Sequence, residues 1–142
     1  MRTLAPTVLA ADSGEFQLVS SVLGIAHPPG YPLYTLLGKL FTMLPVGNVA
    51  WRVNLLSAVI SAATLWVLSR CVRLVTGSSL AGWIGAAYLG AASTFWAQAT
   101  TANIRSLTIL LVAIQIHQLL AYERTGRRGY LVGFALAFGL GV

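Results

Sequence analysis

The chain has 142 residues, 57% hydrophobic and 8% charged, with a formal net charge of +6 and a mean hydropathy of +0.80. A water-soluble domain carries about a quarter charged residues, so the composition excludes an ordinary soluble globule and points to an integral membrane protein. The excess of Arg and Lys belongs at loop ends beside anionic lipid, with no basic face suited to nucleic acid; the lone Cys71 excludes an intrachain disulfide or a cysteine metal cluster.

No cleavable leader is legible at the start. Arg2 suits a charged leader start, but the apolar run 4–11 is short, is interrupted by Pro6 and runs into Asp12. Two of the three acidic residues of the chain, Asp12 and Glu15, stand at i, i+3 at the head of a short helix expected over 15–25. That spacing has two readings. In one, Asp12 caps the helix and Glu15 reaches back from its third position, as in a capping box. In the other, the two carboxylates share one helix face and act at a single point, activating an acceptor hydroxyl or holding a cation.

His27-Pro28-Pro29-Gly30-Tyr31-Pro32 follows. Its prolines fix φ and Gly30 permits a turn the others cannot make, so it is a rigid connector whose His27 and Tyr31 can also face a ligand. One His with no companion ligands does not define a metal site. No cofactor follows from these residues, and the need for a divalent metal stays open. Between Pro32 and Pro45, Leu33, Leu36, Leu37, Leu40, Phe41 and Leu44 recur at helical spacing, opposite Thr35, Lys39 and Thr42. A helix this short cannot cross a bilayer and should lie in the interface, with Lys39 towards headgroups.

Residues 53–69, 80–102 and 106–122 are uncharged and read as three full spans, and 129–142 begins a fourth that is cut short. The fold class expected is all-α: a polytopic transmembrane helix bundle, forming one truncated membrane domain over 1–142. Residues 1–48 are its external loop with interfacial helices, and 49–142 hold the spans. Arg70, Arg73, Arg124, Arg127 and Arg128 fall on one side, and Lys39, Arg52 and Arg105 on the other. The positive-inside rule puts the first group in the cytoplasm and the Asp12–Pro45 segment outside. Small residues at four-residue spacing (Ser57 and Ser61; Gly82, Ala86 and Gly90; Gly133, Ala137 and Gly141) suit close helix packing. Asn54, Gln115, His117 and Gln118 read as interhelical hydrogen-bonding groups.

Thr3-Leu4-Ala5-Pro6-Thr7, Asp12-Ser13-Gly14-Glu15-Phe16, the run from Leu23 through His27-Pro28-Pro29-Gly30-Tyr31-Pro32 to Tyr34, and Trp51-Arg52-Val53-Asn54-Leu55-Leu56-Ser57 together form a pattern. It resembles a bacterial domain-of-unknown-function family related to the vertebrate transmembrane O-mannosyltransferase, within the GT-C superfamily of polytopic glycosyltransferases. The resemblance implies a GT-C-like bundle, set in a bacterial inner membrane. It also implies a sugar donor carried on polyprenyl phosphate, transfer outside the cytoplasm to a hydroxyl of a protein or glycan, and membrane lipid as surroundings. By position in the pattern Asp12 would be the general base and Glu15 would orient it or the acceptor. His27 and Tyr31 would face substrate, and Lys39, Arg52 and Arg105 would be candidates to meet the leaving phosphate.

The sequence departs from the family where an Ala-Glu-Val-Tyr-type run would stand, with Ala102-Asn103-Ile104-Arg105 in its place. It also lacks the family's first and later spans, as an N-terminal fragment would. These departures keep a second reading open, a noncatalytic membrane module with a structural or lipid-binding role. A transporter is disfavoured because the charges lie at span ends rather than at the midplane.

Overall fold

A computed structural model describes residues 3–8 and 11–141 of the protein. Arg2, the 9–10 part of the run before Asp12, and the last residue of the 129–142 run lie outside them. The described residues form seven helices: α1 Asp12–Val22, α2 Pro32–Thr42, α3 Val49–Thr76, α4 Ser79–Ala91, α5 Ser93–Ala99, α6 Ile104–Thr125 and α7 Gly129–Gly139. They fall into two compact units. One comprises the described residues up to Ile60 with Trp96–Leu107, and the other Ser61–Phe95 with those from Thr108 onward.

Local chemistry sets several helix boundaries. Asn48 Oδ1 accepts the Trp51 N–H at 2.8 Å, Ser78 Oγ accepts Ala81 N–H at 3.3 Å, and Asn103 Oδ1 accepts Ser106 N–H at 3.0 Å. Each side chain thereby satisfies an N–H that α3, α4 or α6 cannot satisfy within itself. At the other ends Gly77 (φ 73°) and Gly126 (φ 66°) turn left-handed and return their N–H groups to Arg73 O and Tyr122 O at 2.8 and 2.7 Å.

Two helices, α3 and α6, are long and apolar enough to cross a membrane, with mean hydropathies of 1.8 and 1.6. They contain the expected spans 53–69 and 106–122. The expected helix over 80–102 is divided instead, because Ala92 adopts an extended conformation (φ −68°, ψ 129°) between α4 and α5. Hydropathy registers how apolar a segment is and not whether its backbone stays helical. Ser93 and Thr94 at the break are residues whose side chains compete with helical hydrogen bonding. The 13 residues of α4 extend roughly 20 Å, short of a hydrocarbon core of about 30 Å.

The first unit is organised by the crossing of α1 and α2. A Cβ added at Gly38 would overlap Ser20 Oγ and come within 2.7 Å of Ser20 Cβ, so the crossing needs glycine there. Phe16, Tyr34, Val53 and Leu56 fill the core around it, each at most 2% exposed. Gly38→Ala should destabilise the protein by about 1–3 kcal/mol, the ordinary cost of overpacking. Ser20→Gly in the same chain should recover most of that loss, read as the thermal unfolding midpoint of the detergent-solubilised protein.

Candidate functional site

The site occupies the first unit, where the loop 23–31 folds back over the head of α1. Helix α1 starts at Asp12 after Ala11, whose backbone (φ 61°, ψ −150°) lies in a region strained for a residue with a Cβ. No side chain caps this end. Asp12 is the first helical residue rather than the cap, and Glu15 does not reach back. The capping-box reading is therefore overturned, because the Glu15 carboxylate is taken by a partner distant in sequence.

That partner is His27. Glu15 Oε1 accepts the His27 backbone N–H at 2.6 Å, and Oε2 pairs with His27 Nδ1 at 2.7 Å. With an ionised carboxylate the Nδ1 atom carries the proton, which leaves Nε2 of a neutral imidazole as an acceptor turned to other partners. Bonds from the ring and then from the backbone of His27 hold the Glu15 carboxyl below its ordinary value of 4.5. The loop is tightened further by Gly30 N–H donating to His27 O at 2.9 Å. Tyr31 takes a left-handed conformation (φ 45°) just before α2. The rings of His27 and Tyr31 meet edge to face at 5.6 Å, and both lie within 6.0 Å of the Phe16 ring. His27 and Tyr31 are thus brought together on the ring of buried Phe16.

Beneath this corner runs a buried polar network that links the turn before α6 to α1, α2 and α3. Asn54 Oδ1 accepts from Gln17 Nε2 and from Ala102 N–H, both at 2.9 Å, while Asn54 Nδ2 donates to Ala5 O at 2.8 Å. Tyr34 Oη lies 3.1 Å from Ser57 Oγ and accepts Asn103 N–H at 3.1 Å. Burial pushes the Tyr34 phenol up to about 12, so it stays protonated. Asn54 acts as the sequence suggested, by hydrogen bonding between segments. Asn103, which stands in the run that departs from the family pattern, is a buried helix cap that also donates to Gln98 O and Thr101 O at 2.6 and 2.7 Å. Its signal was legible, an Asn three residues before Ser106 at the head of an apolar run.

Lys39, Arg52 and Arg105 divide by their partners. Lys39 Nζ donates to Ser21 O at 2.6 Å, close to the carbonyl end of α1, where a cation complements the helix dipole. Arg52 donates through three nitrogens to Thr42 O, Val46 O and Gly47 O, at 2.6, 2.6 and 3.0 Å, and so fastens the loop after α2. Arg105 is exposed, with Gln98 Oε1 at 3.5 Å. Asp12 is also exposed and has no side-chain partner among the described residues. No group of three or more His, Cys, Asp or Glu side chains suited to a metal ion occurs among the described residues.

The fold and this corner define an all-α protein that carries two membrane-length helices and an acid-bearing site at the head of its first helix. The chain belongs to the family of the protein O-mannosyl-transferase TMEM260 N-terminal domain, whose pattern matches residues 12–142. It is 36% identical over 122 residues to protein O-mannosyl-transferase TMEM260 of Mus musculus, covering 85% of this chain and 17% of that protein. It is 28% identical over 156 aligned residues to the tmem260 protein O-mannosyl-transferase of Dictyostelium discoideum, covering 97% of this chain and 19% of that protein. The chain therefore spans less than a fifth of the length of these curated relatives. No solved structure matches it.

A lowered carboxyl pKa fixes the sign of the pH response. The Glu15–His27 contact contributes fully above pH 4.5 and is lost as pH falls through the lowered folded value. In an NMR titration the side-chain carboxyl carbon signal of Glu15 should move with a midpoint below 4.5. Glu15→Gln should abolish that transition. Asn54→Ala, which leaves several buried groups unpaired, should cost about 2 kcal/mol or more of stability in equilibrium unfolding.

Proposed function

We propose that this chain supplies the acid-bearing region of a GT-C-type membrane glycosyltransferase. The enzyme moves a mannose-like sugar from a polyprenyl-phosphate carrier to an acceptor hydroxyl on the non-cytoplasmic side. Asp12 takes the proton of the acceptor hydroxyl as its oxygen attacks the anomeric carbon. The bond from that carbon to the carrier phosphate breaks with inversion, and the polyprenyl phosphate leaves with the electron pair. One observation carries this assignment: Asp12 is exposed and without a side-chain partner among the described residues at the first position of α1, whereas Glu15 and His27 beside it satisfy each other. An unpaired carboxylate at the lip of a fixed corner is what a general base requires.

The other residues take roles set by their partners. Glu15 is a positioning residue, since both its oxygens hold His27, and His27 Nε2 with the Tyr31 ring faces substrate. Among the three outer cations Arg105 is left to meet the departing phosphate, because Lys39 and Arg52 are committed to backbone carbonyls. A divalent metal is not needed for this scheme.

Membrane residence is supported by the surface of α6, of whose apolar window only 22% is buried; the core helix of a soluble protein would be mostly covered. The Arg distribution supports placing α1, the 23–31 loop and α2 outside the cytoplasm, in a bacterial inner membrane. The family name of the relatives supports transfer of mannose to protein, with membrane lipid and an acceptor protein or glycan as partners. One observation favours the second reading, a noncatalytic module: two of the three outer cations serve the fold instead of a ligand.

Transfer from a labelled polyprenyl-phosphate sugar, in membranes holding the longest reading frame around this sequence, separates the two. Asp12→Asn should lower the rate about 10²–10⁴-fold, the span expected for loss of a general base. Arg105→Gln should lower it with Asp12 intact. Undiminished transfer by Asp12→Asn would remove Asp12 from the chemistry, and no transfer by a folded wild type would establish the noncatalytic module.

A further inference from the structure

The second unit contains a cavity with no part in this reaction scheme. It lies where the last turns of α3 face the start of α4, has a volume of about 140 Å³, and is lined by Trp66, Ser69, Arg70, Arg73, Ser79 and Trp83. Sites for drug-sized ligands run to about 300–1,000 Å³, so this one suits a single headgroup-sized moiety. Its walls are set by close packing. A Cβ at Gly82 would collide with the Ser69 carbonyl, so α4 can approach α3 only through glycine.

The chemistry of the cavity is that of an anion site. Arg70 and Arg73 both contribute to its wall, and neither forms an ion pair among the described residues. The Arg70 guanidinium lies 5.4 Å from the centre of the Trp66 ring, a contact that orients it without neutralising it. Ser79 opens α4; Ser78 Oγ takes the Ala81 N–H, and the Ser79 and Leu80 N–H groups before it have no intrahelical acceptor. The only acid of this unit, Glu123, is not part of the cavity wall. Two guanidiniums, a serine hydroxyl and a helix start match a phosphate group. The flanking rings of Trp66 and Trp83 are 56% and 63% exposed, as befits tryptophans at the headgroup level of a bilayer.

We propose that this cavity binds the phosphate of an anionic glycerophospholipid headgroup, with Arg70 and Arg73 as its ligands and the two tryptophans against the adjoining glycerol and acyl region. The proposal rests on α3 crossing a membrane and not on any transferase activity, so the two fail separately. Free phosphate shares the same chemistry, and the test distinguishes the sources.

The full chain, with Trp51→Phe and Trp96→Phe so that only Trp66 and Trp83 report, is reconstituted in phosphatidylcholine vesicles. Tryptophan quenching by brominated phosphatidylglycerol is compared with quenching by brominated phosphatidylcholine. The expected result is a preference of about tenfold for the anionic lipid. It should be lost in Arg70→Gln/Arg73→Gln and kept in Arg127→Gln/Arg128→Gln, which removes equal charge outside the cavity. Persistence of the preference in millimolar inorganic phosphate supports the lipid; its displacement by phosphate would overturn the lipid as ligand and assign a soluble phosphate. Absence of preference in the unsubstituted cavity, or equal loss in both arginine pairs, would overturn the site.

Discussion

The carboxamide of Asn54 is the interaction on which the first unit depends. It sits at 0% exposure on α3 and holds Gln17 of α1, the Ala102 N–H ahead of α6 and the Ala5 carbonyl with one side chain. In a low-dielectric interior each of these groups would be costly if unpaired. Their simultaneous satisfaction therefore fixes one arrangement of four segments rather than merely favouring compactness. The Tyr34–Ser57–Asn103 contacts repeat the device one turn further along α3, and Phe16 and Tyr34, 5.1 Å apart, close the apolar layer above it.

That fixed base explains how a short loop can be held to the head of α1. The Glu15–His27 contact is half exposed and would hold little by itself, since solvent screens such pairs. Its partners are already ordered, however: Phe16 anchors α1, Gly38 lets α2 approach closely, and the turn hydrogen bond at Gly30 narrows the loop. The pair then selects one orientation of His27. Lys39 and Arg52 serve the same end, since they supply donors to carbonyl oxygens at the ends of α1 and α2 and in the loop after α2.

The two arginine-bearing corners of the chain differ in a way that charge counting does not reveal. Arg124 follows Glu123 and reaches Val75 O at 3.4 Å, whereas Arg70 and Arg73 border a cavity without a carboxylate. Net charge locates both at a loop end. Both border a cavity, of about 480 Å³ at Arg124 and about 140 Å³ at Arg70 and Arg73, but the first has Glu123 in its wall and the second has no carboxylate.

The sequence by itself determined the helical class, the two membrane-length helices and the short α2 between its prolines. These follow from composition, periodicity and turn chemistry, all local or additive properties. It determined the interhelical role of Asn54 in kind, because an uncompensated amide in an apolar run must find partners. Tertiary structure decided the rest. The i, i+3 spacing of Asp12 and Glu15 permitted both a cap and a carboxylate pair, and the cap did not arise, because His27, twelve residues on, competes more effectively for Glu15 through two bonds. Lys39 and Arg52 carry the same charge whatever they meet, and only the positions of Ser21, Thr42, Val46 and Gly47 show which carbonyls they bond. The break at Ala92 was likewise invisible to hydropathy, which sums side-chain transfer and contains no backbone torsion. Charge and polarity state that a group needs a partner, and three-dimensional proximity decides which partner it gets.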